Sequence, residues 1–352
     1  MPRTQDRVVM IWIAIFGSLA VFLVVYGGFV RLTRSGLSIV EWNPLNGAVP
    51  PMTQQAWEAE FSKYQGTPEY RQINKDMTQG DYQEIFLIEW FHRLIARIAG
   101  LVFAVPFLVF LCIGRIPWKE STVYFIMGFL FLSQALMGWI MVSSGLVERP
   151  SVSHYLLAAH LLLAVSLIGL SVWTVLGHHH GFNGAGRRAR WSVASKAALS
   201  AAAVLLVQIT YGAFTAGLKA GNVSNTWPLM LGRWIPQGLV SQTEPPLLNF
   251  IAAPLTIAFV HRWLAVAALI VAIVACGLIG QVRLDPGLRA ALRLIFALGV
   301  LQIGLGIAVV ASGVDAALSL LHQFNAICLF ILAVYLLHRL RRRDRSSLHA
   351  AA

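Results

Sequence analysis

The chain has 352 residues, of which 57% are hydrophobic and 12% charged, with a formal net charge of +12. That is too apolar for a soluble domain, and the apolar stretches reach the roughly 20 residues needed to cross the hydrocarbon core. They are long and uniform rather than alternating, which excludes a barrel and predicts an all-α polytopic membrane protein; the positive charge follows membrane topology rather than nucleic-acid binding.

In chain order, the first transmembrane helix is predicted over 10–30 and is kept, since no small-residue cleavage site clearly follows it. A long outer loop, 31–84, carries Trp, Phe and Tyr at helical spacing after Pro51, predicting short surface helices that form a lid or docking surface. The second helix, 86–112, opens with LIEWFHRLIAR and so places Glu89, His92, Arg93 and Arg97 in an apolar span. Helices three and four follow over 122–142 and 154–177; the fourth carries His160 and leads into a histidine run, 178–180, read as a solvated loop. Helices five to eight are predicted over 195–216, 257–280, 289–310 and 316–338, with His261 in the sixth and His322 in the eighth. Arg3, Arg7, Arg115, Lys119, Arg187, Arg188, Arg190, Lys196, Arg283, Arg289 and the basic tail Arg339, Arg341, Arg342, Arg343 and Arg345 fall on one side. By the positive-inside rule both termini are predicted to be cytoplasmic. Cys112, Cys276 and Cys328 lie in predicted helices and read as buried free thiols.

The sequence repeats itself. YGGFVRLTRSGLSIVEW (26–42) matches YGAFTAGLKAGNVSNTW (211–227) at Tyr26/Tyr211, Gly27/Gly212, Phe29/Phe214, Gly36/Gly221 and Trp42/Trp227. LFLSQALMGWIMVSSG (130–145) matches LGVLQIGLGIAVVASG (298–313), pairing Gln134 with Gln302 and Gly138 with Gly306. Two tandem four-helix bundles are predicted, 1–180 and 181–352, as parallel repeats because an even number of helices returns the chain to its starting side. Glycines that serve only close packing are the alternative source of such matches.

Four of the ten histidines, His92, His160, His261 and His322, lie in even-numbered helices, each roughly 10 Å in from the outer end. The repeat pairs His92 with His261, each followed by arginine, and His160 with His322. Ionisable groups inside membrane helices are costly and usually functional. Two imidazoles from two helices can clasp a porphyrin iron, so one haem per half is predicted; zinc is disfavoured because no thiolate or carboxylate cluster completes a tetrahedral site in the second half. Glu89 precedes His92 by three residues and shares its helix face, whereas its repeat partner is Ala258. Only the first half thus pairs a carboxylate with its histidines, which suits proton transfer if the surroundings are apolar, and Glu89 can also pair with Arg93. Arg93 and Arg262 are candidate partners for haem propionates.

RLTRSGLSIVEW, AVPP, QAWEAEFSKYQGTPEY, INKDMT and EWFHRLIAR together resemble the haem A synthases, over nearly the whole chain. The resemblance is to the mitochondrial and proteobacterial branch, which lacks a cysteine pair in an outer loop. It implies oxidation of a ring methyl of haem O to a formyl group through a hydroxymethyl intermediate, supporting cytochrome oxidase assembly. It further implies haem O between His92 and His160 with Glu89 catalytic, a haem B cofactor on His261 and His322, a haem O synthase as supplier and an external electron acceptor. The membrane implied is the bacterial cytoplasmic one, or the inner mitochondrial one in a eukaryote. Two other readings stay open: a di-haem b-type electron-transfer cytochrome, which gives Glu89 and the long outer loop no task, and a haem transporter.

Overall fold

The computed structural model describes residues 6–43, 46–147, 150–180 and 190–350, with backbone only at 46 and 345–350. The charge expectations at Arg3, Arg187 and Arg188, and the side chain of Arg345, lie outside the described residues. The chain forms helices α1 (Arg7–Leu32), α2 (Gln54–Gln65), α3 (Pro68–Gln72), α4 (Gln79–Cys112), α5 (Thr122–Leu146), α6 (His154–His180), α7 (Val193–Gly217), α8 (Asn249–Ala252), α9 (Pro254–Gly280), α10 (Pro286–Ala311) and α11 (Ala316–Ala350). Among the described residues, α1, α4, α5, α6, α7, α9, α10 and α11 are the eight helices long and apolar enough to cross a membrane. The protein is therefore an all-helical membrane protein, as its composition requires.

The chain divides into two compact units, 15–167 and a second made of the N-terminal residues to 14 together with 168–352. In the first, Phe16 of α1 packs on Phe103 of α4 and Phe131 of α5, with ring centroids 4.7 and 5.5 Å apart. Helix α4 starts seven residues before its predicted boundary. Thr78 and Asp81 form a reciprocal capping box there, each side chain accepting from the other's backbone N–H. The extra turns are polar, and they are held by an aromatic cluster in which Tyr64, Tyr82 and Phe86 are buried against Trp57, Phe61 and Tyr70. This cluster fastens α2 and α3, the short helices predicted after Pro51, to the N-terminal end of α4.

In the second unit, α7 packs on α9 and α10 on α11. Helix α11 runs well beyond its predicted end, and the basic tail is part of the packing rather than a solvated extension. Asp344 accepts from Ser192 N at 3.2 Å, Ser195 Oγ at 2.7 Å and Arg341 Nη1 at 3.0 Å, and Arg341 stacks 4.0 Å over the Trp191 ring. Arg339 pairs with Asp285 at 2.9 Å, and this pair, with backbone donors from Leu288 and Gly287, outweighs burial and holds the Asp285 carboxyl below its ordinary range. The 178–180 histidines are the last turn of α6, not a loop; His178 is buried and His180 lies 3.2 Å from Arg339 Nη1. All three cysteines are free thiols and none is buried as expected: Cys112 is exposed at the end of α4, and Cys276 and Cys328 are half-buried.

Candidate functional site

The predicted residues gather at two places, one in each unit. In unit 15–167, the imidazole Nε2 of His92 on α4 lies 3.3 Å from the Leu23 carbonyl of α1, and the Tyr26 ring stacks beside it at 6.2 Å. His160 on α6 has its backbone carbonyl held by Gln134 of α5 at 2.9 Å. In the second unit the rings of His261 on α9 and His322 on α11 stand 6.4 Å apart at 77°. Gln208 of α7 donates to the His261 carbonyl at 3.0 Å, and Gln302 of α10 to that of His322 at 3.1 Å.

Each imidazole faces a glycine on a neighbouring helix. A Cβ at Gly27 would come within 3.3 Å of His92 Nε2; at Gly138, 3.5 Å of His160 Cε1; at Gly212, 3.3 Å of His261 Cε1; and at Gly306, 3.1 Å of His322 Cε1. These are the glycines that the two sequence matches pair, Gly27 with Gly212 and Gly138 with Gly306. Close packing and the histidine sites are therefore one feature: the absent side chain is what lets a bulky ring sit between helices.

Glu89 is 3% exposed and meets a polar setting, not the apolar one its sequence neighbours suggested. Its Oε2 accepts from Ser38 N at 2.9 Å, Ile39 N at 2.9 Å and Ser38 Oγ at 2.7 Å, and its Oε1 accepts from Arg93 Nη2 at 2.6 Å. The RLTRSGLS segment makes this possible. It leaves α1 through Arg34, whose φ of 55° lies in the left-handed region, and turns back so that two successive N–H groups point at the carboxylate. Leu37 plugs the turn against Gly145, where a Cβ would meet it at 2.8 Å. The Arg93 pairing expected at i+4 is present; Ser38 and Ile39 as donors were not foreseen. The signal was a Ser-Gly-x-Ser turn directly after an apolar helix, short enough to be buried and rich in unpaired donors.

The second unit repeats the turn without the acid. Lys219 has φ 53°, and Ala258 stands where Glu89 does. Arg93 donates to the Ile39 carbonyl at 3.3 Å, and Arg262 to those of Ser224 at 2.5 Å and Thr226 at 2.8 Å. Ile39 and Ser224 are matched positions of the two similar sequence segments, so the two arginines make like contacts, each tying the turn of its segment to the histidine helix. Arg97, whose role the sequence left open, donates to the Asn43 carbonyl at 3.0 Å.

The His261 and His322 rings, 6.4 Å apart on two helices, could take the two faces of a haem iron. Among the described residues no group of three or more His, Cys, Asp or Glu could hold a metal ion, so an iron here must bring its own equatorial ligands, as a porphyrin does. The Nδ1 of His160 is buried with no hydrogen-bond partner, so no bond fixes that ring from its far side. A helical membrane bundle with paired intramembrane histidines is of the haem-binding class.

The family model described as "Cytochrome oxidase assembly protein" matches residues 10–334, and the chain belongs to that family. It is 39% identical over 335 residues to a protein named "Heme A synthase" from Maricaulis maris, covering 94% of this chain and 95% of that one. It is 39% identical over 334 residues to the "Heme A synthase" of Parvibaculum lavamentivorans, covering 94% of each. The "Heme A synthase" of Sinorhizobium medicae is 40% identical over 326 residues, covering 92% of this chain and 87% of its own.

Proposed function

We propose that the chain is a haem A synthase, an oxidoreductase that converts a ring methyl of haem O into a formyl group through a hydroxymethyl intermediate. The observation that carries this reading is the inequality of two otherwise matched sites: paired histidines in both, a buried carboxylate in one. On this reading His92 and His160 hold haem O, and His261 and His322 hold a resident haem B, which supplies a path for electrons toward an acceptor outside this chain. The carbon is oxidised in two electron-pair steps, with water as the oxygen donor and protons released.

Glu89 is the catalytic residue in this scheme. Held rigidly by Ser38, Ile39 and Arg93, it offers negative charge at a fixed place, which stabilises positive charge developing at the methyl carbon. When the Ser38 hydroxyl bond exchanges, the freed lone pair can take a proton from the attacking water. Arg93 and Arg262 keep the outer turns seated, and their remaining N–H groups can face propionates, since each guanidinium carries five donors. The duplicated organisation, halves 1–180 and 181–352 related as parallel repeats, is supported by the matched glycines, left-handed turns and arginine contacts. The charge bias of the loops supports cytoplasmic termini in the cytoplasmic membrane of a bacterium, and a haem O synthase is the supplier.

The test is pigment extraction from chain expressed with and without a haem O synthase. Haem A, with a hydroxylated intermediate, should appear only with the supplier and disappear in Glu89→Gln. Haem B alone in both preparations would favour the di-haem cytochrome reading.

A further inference from the structure

The two histidine sites are braced unequally. In the second unit, the Gln208 amide nitrogen lies 3.0 Å from both the ring Nδ1 and the backbone carbonyl of His261. Gln302 donates to the His322 carbonyl and also lies 3.3 and 3.2 Å from its Nδ1 and Nε2. Gln302 is itself fixed, because its Oε1 accepts from Asn325 Nδ2 at 2.6 Å. Asn325 is 5% exposed and also donates to the Leu298 carbonyl at 2.9 Å.

Unit 15–167 lacks most of this bracing. Four residues before Gly212 stands Gln208; four residues before Gly27 stands Leu23. Three residues after His322 stands Asn325; three residues after His160 stands Leu163. His92 therefore meets only a main-chain carbonyl, and the His160 Nδ1 meets nothing. Only Gln134, the counterpart of Gln302, remains. As the Gln208 amide is oriented, its Oε1 is buried without a partner, and the amide turned over presents it to Nδ1–H, the tautomer that leaves Nε2 for iron; Gln302, as near Nε2 as Nδ1, fixes where the His322 ring sits rather than its tautomer. A ligand ordered before it binds loses less freedom on binding, so its complex is longer-lived.

We propose that Gln208, and Asn325 acting through Gln302, are positioning residues that make the second site retentive, while Leu23 and Leu163 leave the first site loosely held so that a porphyrin can be exchanged there. This rests on the assignment of the resident haem to His261 and His322 and of the substrate to His92 and His160. One site must then keep its haem through many turnovers, and the other must release it at each.

The experiment uses full-length chain purified after expression without a source of haem O. Haem transfer to apomyoglobin, the low-spin electron paramagnetic resonance signal and the midpoint potential are recorded for wild type, Gln208→Leu, Gln208→Glu and Asn325→Leu. Transfer is expected to be about tenfold faster for Gln208→Leu and Asn325→Leu. Gln208→Glu presents only acceptors to Nδ1, so it should favour Nδ1–H, restore retention and lower the potential by making His261 more basic. Unchanged transfer and signal in both leucine variants would overturn the proposal, as would Gln208→Glu behaving like Gln208→Leu, which would indicate packing alone. A second measurement does not depend on the stability of those variants. Leu23→Gln with Leu163→Asn, co-expressed with a haem O synthase, should slow porphyrin loss from the first site, and no slowing counts against the proposal. Paired His92→Ala and His261→Ala controls separate the two layers. If His92→Ala rather than His261→Ala removes the haem held without haem O, the site assignment itself is wrong, and the proposal falls with it.

Discussion

Replacing Glu89 separates its charge from its role as a mount. Glu89→Ala strands three donors, Ser38 N, Ile39 N and Ser38 Oγ, and leaves Arg93 without its 2.6 Å partner. Breaking a buried ion pair on one side costs about 3–5 kcal/mol, and the stranded donors can recover part of that only by rehydrating as the turn opens. The cost therefore falls on the Arg34–Ile39 turn, and a local opening made easier by about 3 kcal/mol speeds amide exchange there roughly a hundredfold. Glu89→Gln keeps one acceptor for Ser38 and Ile39 but turns an NH₂ group toward Arg93, losing about one charged hydrogen bond, on the order of 1.5–3 kcal/mol. Hydrogen exchange read by mass spectrometry over 33–43, with pigment extraction on the same preparations, distinguishes the two variants. Glu89→Ala should lose both protection and haem A formation; Glu89→Gln should keep most of the protection and still lose haem A. Unchanged protection in Glu89→Ala would refute the mount, and near-normal haem A from Glu89→Gln would refute the charge.

Other consequences are smaller in scope. Gly306→Ala puts a Cβ 3.1 Å from the ring of His322, which Gln302 keeps from yielding, so the low-spin haem signal of the second site should drop sharply; Gly138→Ala, at an ordinary 3.5 Å, should be better tolerated. Arg262→Leu leaves the carbonyls of buried Ser224 and of Thr226 without this donor and should lower haem content in purified protein, with Arg262→Lys intermediate because an ammonium cannot span both. Asp344→Ala removes the acceptor for Ser192, Ser195 and Arg341 and should destabilise the α7–α11 contact by about 2–4 kcal/mol, seen as a lower unfolding temperature in detergent.

The helices were legible because apolar runs of bilayer length are a rule local to the sequence, and the four histidines stood out as rare polar residues inside those runs. The sequence matches suggested the pairing of His92 with His261 and of His160 with His322. Three things were not legible. The early start of α4 depends on a Thr78–Asp81 cap and on aromatic contacts with α2, which no hydropathy window registers. The surroundings of Glu89 depend on a turn about fifty residues earlier in the chain, so the neighbours in sequence suggested an apolar pocket where Ser38 and Ile39 supply donors. The tail arginines were read only as topology signals because their partners, Asp285 and Trp191, arrive from other loops. Gln208 and Asn325 were passed over because single polar residues in helices carry no motif; the cue was that each stands where the first half has leucine.

The most direct measurement is the pigment extracted from the purified chain expressed alone and then with a haem O synthase. Haem B alone in the first case, and haem A with its hydroxylated intermediate in the second, is the predicted result. Unaltered haem O beside haem B in the second case, with Glu89 intact and an electron acceptor supplied, would contradict the assignment of an oxidising first site.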